Sequence, residues 1–426
     1  MARVPTAPWM LSPLARVRCL PLGCTRNAAS SSNATKGKHG RPHSIASEQT
    51  LKPLPPSTEH RDSLAKHYDS LPPLPPLGDW VSHFPYSSPV VRDRISIRAP
   101  ASAIRIAHSF VNSETTSTGK PKVIIEAFPG PGALSRAFLT LPPSQLKRLI
   151  ILEDHGPYLE YLRPLARADP RVSVIPLSGF SWDTYSSLVE NGDLDVDIAP
   201  WENLHPELHF VTHIPQTILG EQLVAQLFRC IPEQSWLFKY GRIPMSFILA
   251  DWVWRRISAP PKGPQRCKLS VIAEATSHFF PSLPPEKLSP FPDHFHPITN
   301  SVRSSPGFRP EARRRGSPFL AINVVPHDEQ IIDKGKLDQW DYILRRLFVL
   351  KSTPLRKAIS SLAPGAEVLL DRLTDKTLPP EQRVDVRLSV KQLNISDWAL
   401  IARAFDAWPF APDNLTIDSF VAYERD

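Results

Sequence analysis

Glu126-Ala127-Phe128-Pro129-Gly130-Pro131-Gly132-Ala133-Leu134-Ser135 follows an apolar run from Val123 and leads into a helical stretch from Gly132 to Leu141, which Pro142 and Pro143 stop. Glycines at a strand-to-helix turn let the backbone approach a ligand closely, and an acid at the strand end can accept hydrogen bonds from an ammonium or hydroxyl group. The dinucleotide pattern G-x-G-x-x-G is incomplete here, so another nucleoside-type ligand is the better expectation. Glu153 closes the next apolar run, Leu149 to Leu152, twenty-seven residues after Glu126. A carboxylate placed there can take the two hydroxyls of a ribose.

Outward from this pair, the chain alternates short apolar runs with helical stretches. Val123 to Phe128, Leu149 to Leu152, Val172 to Leu177, Phe210 to Ile214 and Trp236 to Tyr240 read as strands, with an amphipathic helix from Ile218 to Cys230. This alternation predicts an α/β domain with a mainly parallel sheet. Residues 338–410 are helix-rich, and Trp398, Ile401, Ala402 and Phe405 fall at the spacing of one buried helix face.

Glu126 to Ser135 resembles the first motif of the S-adenosylmethionine-dependent rRNA adenine dimethyltransferases, acid-x-x-Pro-Gly-x-Gly-x-Leu-Thr/Ser. The resemblance is closer still to the mitochondrial transcription factor B branch of that family, in its fungal form. Ser181-Trp182-Asp183-Thr184-Tyr185, Gln339-Trp340-Asp341-Tyr342, Leu350-Lys351 with Thr353-Pro354-Leu355, and Ala407-Trp408-Pro409-Phe410 are similar to later segments of that branch. The resemblance runs from about Arg92 to the end. It implies a class I methyltransferase (Rossmann-like) sandwich over 92–320, with a Pro/Arg-rich loop at 281–318, then a small, mainly helical domain over 321–412 and a tail at 413–426. It implies S-adenosylmethionine as the ancestral cofactor, with Glu126, Gly130, Gly132, Glu153 and Ser178 at its motif positions.

Base methylation in the family requires Asn/Asp-x-Pro-Tyr/Phe after the fourth strand, because a polar group orients the adenine amine while an aromatic ring stacks on the flipped base. This chain has His213-Ile214-Pro215-Gln216 there. Gln216 has no aromatic face, and Ser178 stands where the third motif supplies an acid. The cofactor site is therefore expected to be weak or vestigial, with no confident catalytic residue. The resemblance implies a mitochondrial transcription initiation factor that partners a single-subunit mitochondrial RNA polymerase and helps recognise and melt promoter DNA. The rival is a mitochondrial rRNA adenine N6-dimethyltransferase, with small-subunit rRNA as its partner.

Charge supports a local rather than diffuse nucleic-acid surface. The chain carries 50 Lys and Arg against 42 Asp and Glu, but seven of the basic residues lie before Glu48, the first acid, leaving 43 against 42 for the remainder. That acid-free, Arg/Ser/Ala-rich start over 1–47 has the composition of a mitochondrial transit peptide, which places the mature protein in the matrix. Residues 48–91, including Leu-Pro-Pro-Leu-Pro-Pro-Leu at 71–77, read as a proline-rich linker or surface arm. Local basic clusters occur at Arg303, Arg309, Arg313, Arg314 and Arg315, and at Arg345, Arg346, Lys351, Arg356 and Lys357; these are the candidate phosphate contacts. Met245 to Trp254 is too short and too polar at Asp251 to span a bilayer. Cys230 and Cys267 read as buried thiols. Neither His205/His209 nor Asp293/His294/His296 has metal-site spacing, so no metal is expected.

Overall fold

The computed structural model describes residues 58–112, 116, 118–298 and 318–415. The 1–47 segment with Cys19 and Cys24, the arginines from Arg303 to Arg315, and 416–426 of the expected tail lie outside the described residues.

Strands β1 (Lys122–Ala127), β2 (Leu146–Leu152), β3 (Val172–Ile175), β4 (Leu208–His213), β5 (Met245–Ala250), β6 (Ser277–Pro281) and β7 (Phe319–Pro326) form one sheet in the order β3-β2-β1-β4-β5-β7-β6. Pairing is parallel from β3 through β5, and antiparallel where β7 meets β5 and β6. Strands of a parallel sheet are covered on both faces, which explains why β1, β4 and β5 are buried at every position. The order reverses between β1 and β4, and such a reversal opens a crevice beyond the carboxyl ends of the strands.

Alternate residues feed two cores. Ile124, Leu149, Ile151 and Val211 pack with helices α2 (Pro100–Val111), α3 (Ala133–Leu139) and α4 (Gly156–Ala168). Val123, Ile125, Phe210 and Phe247 face α5 (Trp182–Glu190), α6 (Ile218–Cys230) and α8 (Lys268–Thr276), with α7 (Asp251–Ile257) following β5. That second core continues without a break into α9 (Leu337–Val349) and α10 (Ile395–Asp406) through Leu344, Leu347, Trp398, Ile401 and Phe405. The C-terminal helices share a core with the sheet, and β7 carries the sheet on to Pro326, beyond the expected boundary at 320.

Four local expectations are corrected. Trp236–Tyr240 is a 3-10 turn, not a strand; Gln234 and Trp236 take positive φ (49° and 56°), which no strand tolerates, and the half-buried Trp236 ring packs edge-on against Tyr185 and Phe210, each at 4.9 Å. Its place in the sheet is taken by β5. The described part of the proline-rich arm, residues 58–91, packs on the body: it begins with helix α1 (Thr58–Ser70), Arg136 donates through Nε to the Pro72 carbonyl at 2.8 Å, and Trp80 and Phe84 pack on Tyr158. The first part of the 281–318 loop is likewise built into the body, with Phe291 and Phe295 buried against Phe319 at 5.9 and 5.3 Å. Cys230 and Cys267 are free and half-buried rather than buried.

Candidate cofactor end of the sheet and basic surfaces

The acids and glycines singled out in the sequence converge at the carboxyl ends of β1 and β2. Glu126 is fully buried; its Oε2 accepts from Ser135 Oγ at 2.6 Å, while His213 Nε2 from the end of β4 lies 3.3 Å from Oε1, close but not aligned to hydrogen-bond. Gly130 and Gly132 adopt positive φ (63° and 87°), and Gly132 caps α3, which explains the need for glycine. A side chain at either position would also collide, with Ser96 Oγ at 2.3 Å from a Cβ at Gly130 and with Leu162 at 2.4 Å from one at Gly132.

Residues 93–97, which the sequence analysis did not single out, cross this end of the sheet. The Asp93 carbonyl accepts from Gln216 N at 2.7 Å after β4, Ser96 fills the open side of Gly130 after β1, and Arg94 reaches the end of β2. Arg94 Nη1 donates to Glu153 Oε1 at 2.6 Å and Nη2 to Asp154 Oδ1 at 2.7 Å, with the guanidinium 4.9 Å above the Phe128 ring. Glu153 Oε1 also accepts from His155 N at 2.9 Å. The Phe128 ring in turn lies against Gly179 and 4.5 Å from Phe180, held by a positive φ of 58° unusual for a bulky residue.

Electrostatics follow this packing. Burial pushes Glu153 up to about 7, with Arg94 pulling the other way. Burial opposes the charges of Arg94 and Asp154 too, but their mutual attraction, with Glu153 adding to it for Arg94, raises the arginine and lowers the aspartate. Arg94 and the His155 amide both take Glu153 Oε1, whereas Glu153 Oε2 and Glu126 Oε1 are buried without a hydrogen-bond partner, and Ser96 fills the Cβ side of Gly130. The two orphaned acid oxygens fit the hydroxyl and ammonium groups of S-adenosylmethionine, while Arg94 competes for the carboxylate at the ribose position.

The motif after β4 brings His213, Ile214 and Pro215 into the buried end of the sheet, while Gln216 is half-buried and presents an amide. Ser178 lies beside Asp154, to which its side chain hydrogen-bonds. The histidines outside this site serve structure. His205 Nδ1 accepts from the Leu208 amide at 2.8 Å, His209 contacts Ser246 Oγ at 2.8 Å, His294 contacts Ser102 Oγ at 2.7 Å and His296 the Phe84 carbonyl at 2.8 Å. Among the described residues no group of three His, Cys, Asp or Glu could hold a metal ion, and no helix is long and apolar enough to cross a membrane.

Of the second basic stretch, Arg345, Arg346, Lys351, Arg356 and Lys357 are all exposed. Arg345 and Arg346 are engaged locally, the first 3.9 Å from Asp341 and the second 5.4 Å over the Tyr342 ring.

Comparison with known families decides the lineage. The profile described as ribosomal RNA adenine dimethylase matches residues 104–403. The chain belongs to the ribosomal RNA adenine dimethylase family. Within reach of this dimethylase-family chain is the mitochondrial transcription factor 1 of Saccharomyces paradoxus, 26% identical over 302 residues that cover 68% of this chain and 82% of that protein. The mitochondrial dimethyladenosine transferase 1 of Vermamoeba vermiformis is 24% identical over 375 residues, covering 80% and 97%. A solved dimethyladenosine transferase from Plasmodium falciparum aligns at TM-score 0.47 and 11% identity, covering 73% of this chain and 97% of that one. As a dimethylase-family member the chain has the α/β methyltransferase fold followed by helices, as the sequence predicts.

Proposed function

We propose that this dimethylase-family chain acts as a mitochondrial transcription initiation factor, partnering a single-subunit mitochondrial RNA polymerase in the matrix and assisting promoter recognition and melting. The observation that carries the reading is the Arg94 guanidinium on Glu153 and Asp154, which ties one oxygen of each into a structural contact and competes with a ribose for Glu153. Gln216, without a ring to stack on a flipped base, supports the same conclusion. So do the relatives named mitochondrial transcription factor 1. The alternative function, S-adenosylmethionine-dependent rRNA adenine N6-dimethylation, needs both features reversed.

In this reading 1–47 is a transit peptide, the 92–320 and 321–412 regions form the folded body, and 413–426 is a tail. The arginines Arg303 to Arg315 and the stretch Arg345 to Lys357 contact the melted promoter strand, and the S-adenosylmethionine site is vestigial. Calorimetry with S-adenosylmethionine and methyl transfer to a small-subunit rRNA hairpin test it. No binding below roughly 1 mM and no dimethylation are expected; tight binding that Glu153→Ala weakens, together with dimethylation, would establish the enzyme instead.

A further inference from the structure

Asp341 on α9 is 1% exposed and holds more cations than it can neutralise. Arg229, in the last turn of α6, makes a direct ion pair with it; Lys268 Nζ, from the first residue of α8, lies at 3.0 Å, and Arg345 Nη2 at 3.9 Å. Two further acids, Asp338 and Glu233, act on Arg229 at longer range. Neither makes an ion pair with any of the three cations among the described residues, and Glu233 Oε1 accepts from the Gly335 amide at 3.3 Å. The neighbouring Cys230 thiol is pushed up by burial and so carries no charge near neutrality.

The place of Lys268 sharpens the imbalance. A cation on the first turn of a helix opposes the helix dipole, whereas the free backbone N–H groups there favour an anion. Burial, then repulsion from Arg229 and Arg345, lowers the Lys268 ammonium to about 8. All three side chains still reach solvent, at 24%, 34% and 44% exposure for Arg229, Lys268 and Arg345, so an anion has access to the place where they meet. A guanidinium pair and an ammonium converging from three helices match the charge and acceptor geometry of a phosphate group.

We propose that Arg229, Lys268 and Arg345, held around buried Asp341, form a seat for one phosphate group, either a backbone phosphodiester of a nucleic acid or a free phosphate anion. Only the first source rests on the function proposed above; the seat itself does not. Bound phosphate neutralises the surplus charge and raises the Lys268 ammonium again, so occupancy weakens as pH rises through about 8.

The test compares the full chain with Lys268→Gln/Arg345→Gln, which leaves the Arg229–Asp341 pair intact. Thermal midpoints are measured in sodium phosphate and in sodium chloride at equal ionic strength. Wild type should be stabilised by phosphate near pH 7, with the gain shrinking near pH 9, and the double variant should lose the gain while melting in chloride no lower than wild type, because repulsion is relieved. An equal phosphate gain in both proteins, or none in wild type, overturns the seat. A short single-stranded DNA distinguishes the sources. Loss of about 0.7 from the log-log salt slope in the variant identifies one backbone phosphate, while an unchanged slope beside a lost phosphate gain assigns the seat to the free anion. Neither measurement involves polymerase, so failure of the transcription reading would leave the result for the seat standing.

Discussion

Glu153 is caught between burial, which favours its neutral form, and Arg94, which favours its charge. Burial prevails and the folded carboxyl titrates at about 7 against an ordinary value of 4.5. The folded state therefore holds a proton that the unfolded state releases between those values. Stability on this account is full below the ordinary value and declines as pH rises toward 7, by at most about 1.4 kcal/mol per pH unit. Urea midpoints from about pH 5 to about pH 8 should show the decline, and Glu153→Gln should flatten it; an identical profile in the variant would contradict the assignment. Arg94→Ala leaves Asp154 and Glu153 without their cation, and a loss of about 3 kcal/mol is expected near neutrality, as for other broken buried pairs. Glu126, Gly130, Gly132 and Glu153 were legible because strand ends and glycine turns are local patterns. Arg94 was not, since it meets Glu153 across 59 residues of chain and no periodicity records such a pairing. A signal existed in the three arginines Arg92, Arg94 and Arg98 just before α2.

At the scale of elements, the helix from Ile218 to Cys230 was legible to the residue, because its apolar positions repeat at helical spacing and Thr217 caps it, accepting from Gly220 N at 3.1 Å. Trp236 to Tyr240 misled because a short apolar run looks the same whether it lies in a ladder or folds back on an aromatic cluster. Met245–Ala250, fully buried between β4 and β7, has the continuous apolar pattern of a central strand. The strands β6 and β7 bracket the proline-rich segment, whose composition masked them. The C-terminal helices carry their own test. Trp398 is 1% exposed and stacks on Phe348 at 5.4 Å with ring planes 19° apart. Trp398→Ala should cost about 3–5 kcal/mol. Because α9 and α10 share the core of the sheet, chemical denaturation followed by near-UV and far-UV dichroism should lose both signals in one transition; two separated transitions would show an independent helical unit.

For the molecule as a whole, the charge distribution sets what the fold can do. Outside the first 47 residues the excess is a single positive charge, so attraction to nucleic acid depends on local clusters rather than on a general field. Changing Arg313, Arg314 and Arg315 to Ala should remove up to about 3 units from the salt slope on duplex DNA if each meets a phosphate; an unchanged slope would shift the contact to Arg345 through Lys357. Fusion of residues 1–60 to a fluorescent protein should direct it to mitochondria, and a diffuse cytosolic signal would count against the transit peptide. A methyltransferase fold whose own arginine engages the acid at the ribose position is expected to work in transcription initiation. Run-off transcription by the organism's mitochondrial RNA polymerase, on duplex and on pre-melted promoter without S-adenosylmethionine, is the decisive measurement. Strong dependence on this protein is expected with the duplex and much weaker dependence with the pre-melted template; equal transcription of the duplex with and without the protein would rule out a role in promoter opening.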